Sequence, residues 1–375
     1  MTTAHTAGPT GVMIAGRRVA MLDRARIYAC GITPYDVTHL GHAATFVWVD
    51  ALSRTLRFLG VEPDVCRNVT DVDDVLDAAA RRAGARHDTF AAIQQFHFDR
   101  DMTALSVRPP HYEPRAHGYV EQVIRLASGL LAAGVAYPRG GSVYFRGRPV
   151  ADRAGLAGAE AAALSAAHGG RPADPAKDDP LDVAVWQASE PGHPAWDSPW
   201  GEGRPGWHAE CVAMALSVFG VGVDVHAGGA DLRFPHHAYH AAMAEAFTGV
   251  RPYARAWLHV GTVTIEGAKM AKSAGNLVLL RDLLAAHPAQ AVRLMILDRR
   301  WADSWDFTPA LLAGASERLE DLYRAAGRGT SAHPDALTEI RDLLSNDLDV
   351  PAALSVAIEA GGTPARTLAA TLGLT

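Results

Sequence analysis

A chain of 375 residues and 39.8 kDa suits two or three domains and carries ample material for a buried core. Its 49% apolar and 20% charged residues exclude a disordered tail or a fibre, and its net charge of −6 leaves no electrostatic footprint for bulk nucleic-acid binding. Apolar stretches break well short of the roughly 18 residues a membrane span needs and the N-terminus lacks a signal pattern, so a cytoplasmic protein with no membrane partner is expected.

In chain order, residues 25–30 read as a strand, 40–59 as a helix ending at Gly60 and 64–70 as a strand, with helices at 73–82, 88–104 and 116–133. This alternation predicts an α/β fold: a Rossmann-like nucleotide-binding core with a parallel sheet. Residues 135–206 break the rhythm with a hairpin around Tyr144 and Phe145, an Ala-rich stretch and a Pro/Gly/Asp-rich run from Gly169. The pattern then resumes with a helix at 207–219, a strand at 223–227, a helix at 236–247 and a strand at 255–260. The expected division is 1–134 for the first half of the core, 135–206 for an inserted connecting segment, 207–273 for the second half and 274–375 for a C-terminal helical domain.

Of 35 basic residues only Lys177, Lys269 and Lys272 are lysine. A chain that prefers Arg this strongly, yet sets two lysines three apart in Lys269-Met270-Ala271-Lys272-Ser273, needs ammonium groups there. Such a Gly-flanked loop can fold over the β- and γ-phosphates of a nucleotide and neutralise departing pyrophosphate. His39-Leu40-Gly41-His42, at a predicted helix start, places two imidazoles and free N–H groups where a triphosphate can be met.

Cys30, Cys211, His236 and His240 are zinc-ligand types, and His236 and His240 share a helix face at i, i+4. Their wide spacing is no metal signature in itself; structural cysteines and a polar helix face are the competing reading. Cys66 reads as a core thiol. Gly206-Trp207-His208 and Gly228-Gly229-Ala230-Asp231 lie where an α/β sheet holds a ligand, beyond the carboxyl ends of its strands.

Taken in order, Cys30-Gly-Ile-Thr-Pro-Tyr-Asp36, His39-Leu-Gly-His42, Asn68-Val-Thr-Asp-Val-Asp-Asp74, Gly203-Arg-Pro-Gly-Trp-His-Ala-Glu-Cys211, Phe234-Pro-His-His237 and Lys269-Met-Ala-Lys-Ser273 resemble the cysteinyl-tRNA synthetase family. Within that family the resemblance is closest to the cysteine ligases of mycothiol biosynthesis, and it extends to Asp179-Pro-Leu-Asp182, Trp186 and Pro199-Trp-Gly201. It implies a nucleotidyl-transferase core that uses ATP, with Mg2+, to make cysteinyl-adenylate from L-cysteine. By motif match His39, His42, Lys269 and Lys272 are catalytic. Cys30, Gly31, Ile32, Thr33, Thr45, Asn68, Val69, Thr70, Trp207, Gly229, Ala230, Asp231 and Val263 contact the adenylate, while Cys30, Cys211 and His236 hold zinc.

His240 stands where the synthetases carry a Glu ligand and can serve as a fourth. Ala238 replaces a common acidic residue, Ala271 replaces the usual Ser, and the stretch before Asp179 reads His168-Gly-Gly-Arg-Pro172. The implied reaction is an AMP-forming ligation of cysteine to a small amine, glucosaminyl-inositol, by a monomer without tRNA. A ligase for another amine, a truncated synthetase and a non-catalytic paralogue are the alternatives. Little chain after Ser273 is left for an anticodon-binding domain.

Overall fold

Strands Arg24–Ile32, Glu62–Val69, Val223–Gly229 and Ala254–Val260 are short runs buried on both faces, the pattern demanded by a parallel sheet covered with helices. The computed structural model describes residues 10–35, 37–190, 192–270, 274–329 and 333–375. The four strands pair in the order Ala254–Val260, Val223–Gly229, Arg24–Ile32, Glu62–Val69, all parallel, with Ile27 between Val225 and Val65. Arg24–Ile32 connects to Glu62–Val69 on one side through the helix Leu40–Phe58. The other side is reached only after the connecting segment, through the helix Trp207–Phe219. The two middle strands therefore diverge at their carboxyl ends and open a crevice there.

Leu40–Phe58 packs on one sheet face together with the C-terminal helices, from Ala289–Leu297 to Gly362–Leu372. Arg293, fully buried, fastens that region by pairing with Asp50 of Leu40–Phe58 and donating to the carbonyls of Leu105 at 2.8 Å and Leu372 at 2.6 Å. The other face is covered by Val120–Ala132, Trp207–Phe219 and Ala238–Thr248, with the connecting segment beyond them. No described helix is long and apolar enough to cross a membrane.

Local pattern and structure part in three places. The stretch 135–206 is more than a hairpin: Ala136–Arg139, Ser142–Phe145, Val183–Ala188 and Gly203–Pro205 form an antiparallel sheet in that order. Its outer strands are short and Gly/Pro-bearing, so long-range pairing rather than propensity makes them strands. An N-terminal hairpin, Thr10–Ile14 with Arg17–Met21, is unannounced by the sequence pattern. The predicted helix at 236–247 is Ala238–Thr248, entered through a π turn at Arg233–His237.

Candidate active site

The crevice is built from backbone outward. Asn68 accepts the Gly31 N–H at 2.9 Å and its amide donates to Thr70 at 3.1 Å, locking the ends of two strands together. A side chain at Gly31 would put its Cβ 1.6 Å from the Asn68 carbonyl oxygen, so only glycine permits this approach. Ile32 and Val69, paired across the sheet, turn their buried side chains into the core. Thr33 follows the strand and its carbonyl accepts the Tyr35 N–H at 2.8 Å.

His39 caps the helix Leu40–Phe58: its Nδ1 accepts the Gly41 N–H at 3.1 Å, so the ring proton of the neutral imidazole sits on Nε2. The His39 and His42 rings stack with centroids 3.8 Å apart. Across the opening, Lys269 lies on the short strand Ala268–Lys269, beside Val263–Ile265, and its ammonium pairs with Asp231 at 2.6 Å. Burial would raise the Asp231 carboxyl; the Lys269 charge outweighs it and holds that carboxyl below its ordinary value. Ala271, Lys272 and Ser273 lie outside the described residues. Cys30, Gly31, His39, His42, Thr45, Gly229, Ala230, Asp231, Val263 and Lys269 line one cavity of about 330 Å³.

Beneath that cavity the chemistry changes. Ligand atoms of Cys30, Cys211 and His236 lie within 4.8 Å of one another, and those of Cys30, His226 and His240 form an overlapping group by the same measure. All five residues are buried. Burial, then the hydrogen bond to Cys211, pushes the Cys30 thiol well up; that same bond, with His236 beside it, pulls Cys211 well down. Burial pushes His208, His226, His237 and His240 well below the ordinary imidazole value, so they are neutral. His237 links Cys30 Sγ at 3.2 Å to His259 at 2.8 Å. Among the described residues neither ring nitrogen of His240 has a hydrogen-bond partner.

Trp207 opens the helix Trp207–Phe219 and stacks on His236 with centroids 4.3 Å apart, while His208 Nδ1 lies 2.9 Å from His236 Nδ1. Trp207 lines a second, polar cavity of about 310 Å³ against the connecting segment, with Ser142, Tyr144, Lys177, Gln187 and Arg204. Of the residues expected to contact the adenylate, Ile32, Thr33, Asn68, Val69, Thr70 and Trp207 are absent from the cleft lining. Asn68 and Thr70 support its floor instead. The sequence reading missed His226 and His259 and gave His208 and His237 no role of their own. The available signal was density: five of the chain's 17 histidines fall between 226 and 259.

Residues 18–317 match the family of tRNA synthetases class I (C) catalytic domains. The L-cysteine:1D-myo-inositol 2-amino-2-deoxy-alpha-D-glucopyranoside ligase of Acidothermus cellulolyticus is 45% identical over 340 residues, covering 88% of this chain and 83% of that protein. The ligase of the same name from Kineococcus radiotolerans is 45% identical over 367 residues, covering 92% and 86%. Among solved structures, Mycobacterium tuberculosis methionyl-tRNA synthetase bound by methionyl-adenylate superposes with a TM-score of 0.64 at 14% identity, covering 93% of this chain and 84% of that one, a likeness of fold.

Proposed function

This chain belongs to the family of tRNA synthetases class I (C) catalytic domains, and from that premise we propose that it is an ATP-dependent, AMP-forming ligase joining L-cysteine to the amine of glucosaminyl-inositol, the step its relatives' name describes and one of mycothiol biosynthesis. One observation carries the reading: the cleft with His39, His42 and Lys269 and the buried Cys/His cluster meet at Cys30, so a nucleotide and a thiol-bearing amino acid are held at the end of one strand. A cysteine carboxylate oxygen attacks the α-phosphorus of Mg2+-bound ATP, the bond to the β-phosphate oxygen breaks, and pyrophosphate leaves. His39 Nε2–H, His42, Lys269 and Lys272 would balance the charge that grows on that leaving group. The amine then attacks the acyl carbon and AMP departs.

The cluster suits zinc by its donor set: a depressed Cys211 thiol, Cys30, buried His236 and the unpartnered nitrogens of buried His240. Zinc, when bound, supplies a soft cation for the substrate thiol, which the hydroxyl of serine matches poorly. The polar cavity beside Trp207 has the hydroxyl and charged groups that a polyol amine needs. A net charge of −6 supports a small acceptor rather than tRNA, and we read the working unit as the monomer.

The test pairs radiolabelled cysteine, ATP and Mg2+ with either total tRNA or glucosaminyl-inositol. The expected product is a small cysteinyl amide formed one-for-one with AMP. Acid-precipitable cysteinyl-tRNA overturns the reading, and no transfer to glucosaminyl-inositol by an enzyme that does form adenylate overturns the acceptor.

A further inference from the structure

We propose that His168 is the base that takes the proton from the acceptor amine as it attacks the acyl-adenylate. The inference rests on the ligase reading above and assigns a catalytic residue within it.

Three observations converge on this side chain. His168 closes the helix Gly158–Ala167 of the connecting segment, and its ring Nδ1 lies 2.9 Å from the Leu164 carbonyl oxygen. A carbonyl only accepts, so Nδ1 carries the proton and Nε2 keeps its lone pair. Among the described residues Nε2 makes no hydrogen bond. The ring is held in place because Gly169, at φ +81°, turns the chain back so that the Gly170 N–H donates to the Ser165 carbonyl at 2.8 Å.

Position is the second observation. His168 lines the polar cavity beside Trp207 and also a neighbouring cavity of about 680 Å³ that contains Asp231 and His237; among the described lining residues it is the one common to both. Asp231 in turn lines the nucleotide cleft, and Trp207 stacks on His236 of the Cys/His cluster. The ring thus stands between the side from which a polar amine enters and the place where nucleotide and cysteine meet.

The third observation is that the polar cavity's competitors are engaged. Asp73 accepts the N–H groups of Val75 and Leu76 at 2.7 and 3.2 Å. Asp74 pairs with Arg204 at 2.8 Å, and Asp174 accepts from Ala176 and Tyr144 at 2.9 and 3.3 Å. His208 is spent on His236. Lys177, half-buried, and Glu190, exposed, are the remaining rivals at the same cavity.

The step balances as follows. The neutral amine nitrogen donates its lone pair to the acyl carbon and a C–N bond forms. The C–O bond to the phosphate breaks with its electron pair on AMP, and the proton lost from nitrogen moves to His168 Nε2.

The experiment forms cysteinyl-adenylate on the whole chain with ATP, cysteine and pyrophosphatase, adds glucosaminyl-inositol, and follows amide and AMP in a single turnover. For His168→Gln the ratio of transfer rate to adenylation rate should fall by about 100-fold or more, the scale of a lost general base. Added imidazole should restore transfer at least tenfold in His168→Ala, which a purely structural role would not allow. Transfer by His168→Gln at the wild-type ratio, an absence of imidazole rescue, or a loss that follows Lys177→Met instead would each overturn the assignment. Failure of the wild-type chain to transfer at all brings down the ligase reading itself, so the two failures are distinct.

Discussion

The nucleotide cleft and the Cys/His cluster share Cys30 and the ends of the same two strands, yet they handle charge in opposite ways. In the cleft, Lys269 and Asp231 stay partly exposed and pair with each other. In the cluster, burial strips charge from four imidazoles and the Cys30 thiol and leaves Cys211 as the one group pulled toward its anion. Triphosphate brings its own anionic charge and has to be met by cations that can reach solvent. A thiol is selected by the opposite arrangement, dry donors, one of them drawn toward its anion, that await a cation. On the proposed reading, the two regions are the halves of an adenylation site, kept apart because their dielectric requirements differ.

The largest expected effect breaks the cluster. Cys211→Ala should reduce zinc from about one per chain to a trace and lower cysteine-dependent ATP–pyrophosphate exchange by about a thousandfold, beyond the 10–100-fold typical of losing an outer-shell partner. Metal analysis and exchange assays on the same preparation check it, and full zinc in the variant would remove Cys211 from the site.

Next comes the cleft. Lys269→Ala should slow single-turnover adenylate formation by about 100-fold while leaving zinc content intact, which separates the two regions chemically. Unchanged adenylation would return this lysine to a surface role.

Asp231→Asn should act more gently. Losing one charged acceptor in the cleft is worth about 1.5 kcal/mol, or about tenfold in KM for ATP, with a smaller change in kcat. A kcat that falls more than KM rises would mean that Asp231 serves the reaction step rather than nucleotide binding.

The smallest effect sharpens the contrast through pH. Burial lowers His259 to about 4 in the folded protein, against about 6.5 when unfolded. Its folded pKa is depressed, so this contribution to stability is fully present above about pH 6.5 and is lost as pH falls toward 4. The Asp231 carboxyl, itself held low, gives way only at more acid pH. Calorimetry of metal-free protein should therefore show a lower Tm at pH 5 than at pH 7, with a smaller drop in His259→Leu. Equal Tm values at the two pH values would show that the cluster carries no such penalty.

What the sequence determined by itself was local: the strand ending at Cys30, the helix that starts at residue 40, the paired imidazoles at that helix start and the clustered lysines. These follow from spacing and side-chain type over a few residues, which is where periodicity and capping act. Tertiary structure alone decided which distant groups meet. His226, His237 and His259 lie on separate elements, and only the parallel order of the core strands gathers them around Cys30. The antiparallel sheet of the connecting segment is likewise a product of pairing between residues as far apart as Val143 and Trp186. His168 shows the same division: its sequence neighbours announce a turn, but its place between two cavities comes from packing that segment against the core. Contacts across long separations leave no period in the chain, because the side chains that meet are selected by burial on opposing surfaces rather than by their neighbours in sequence.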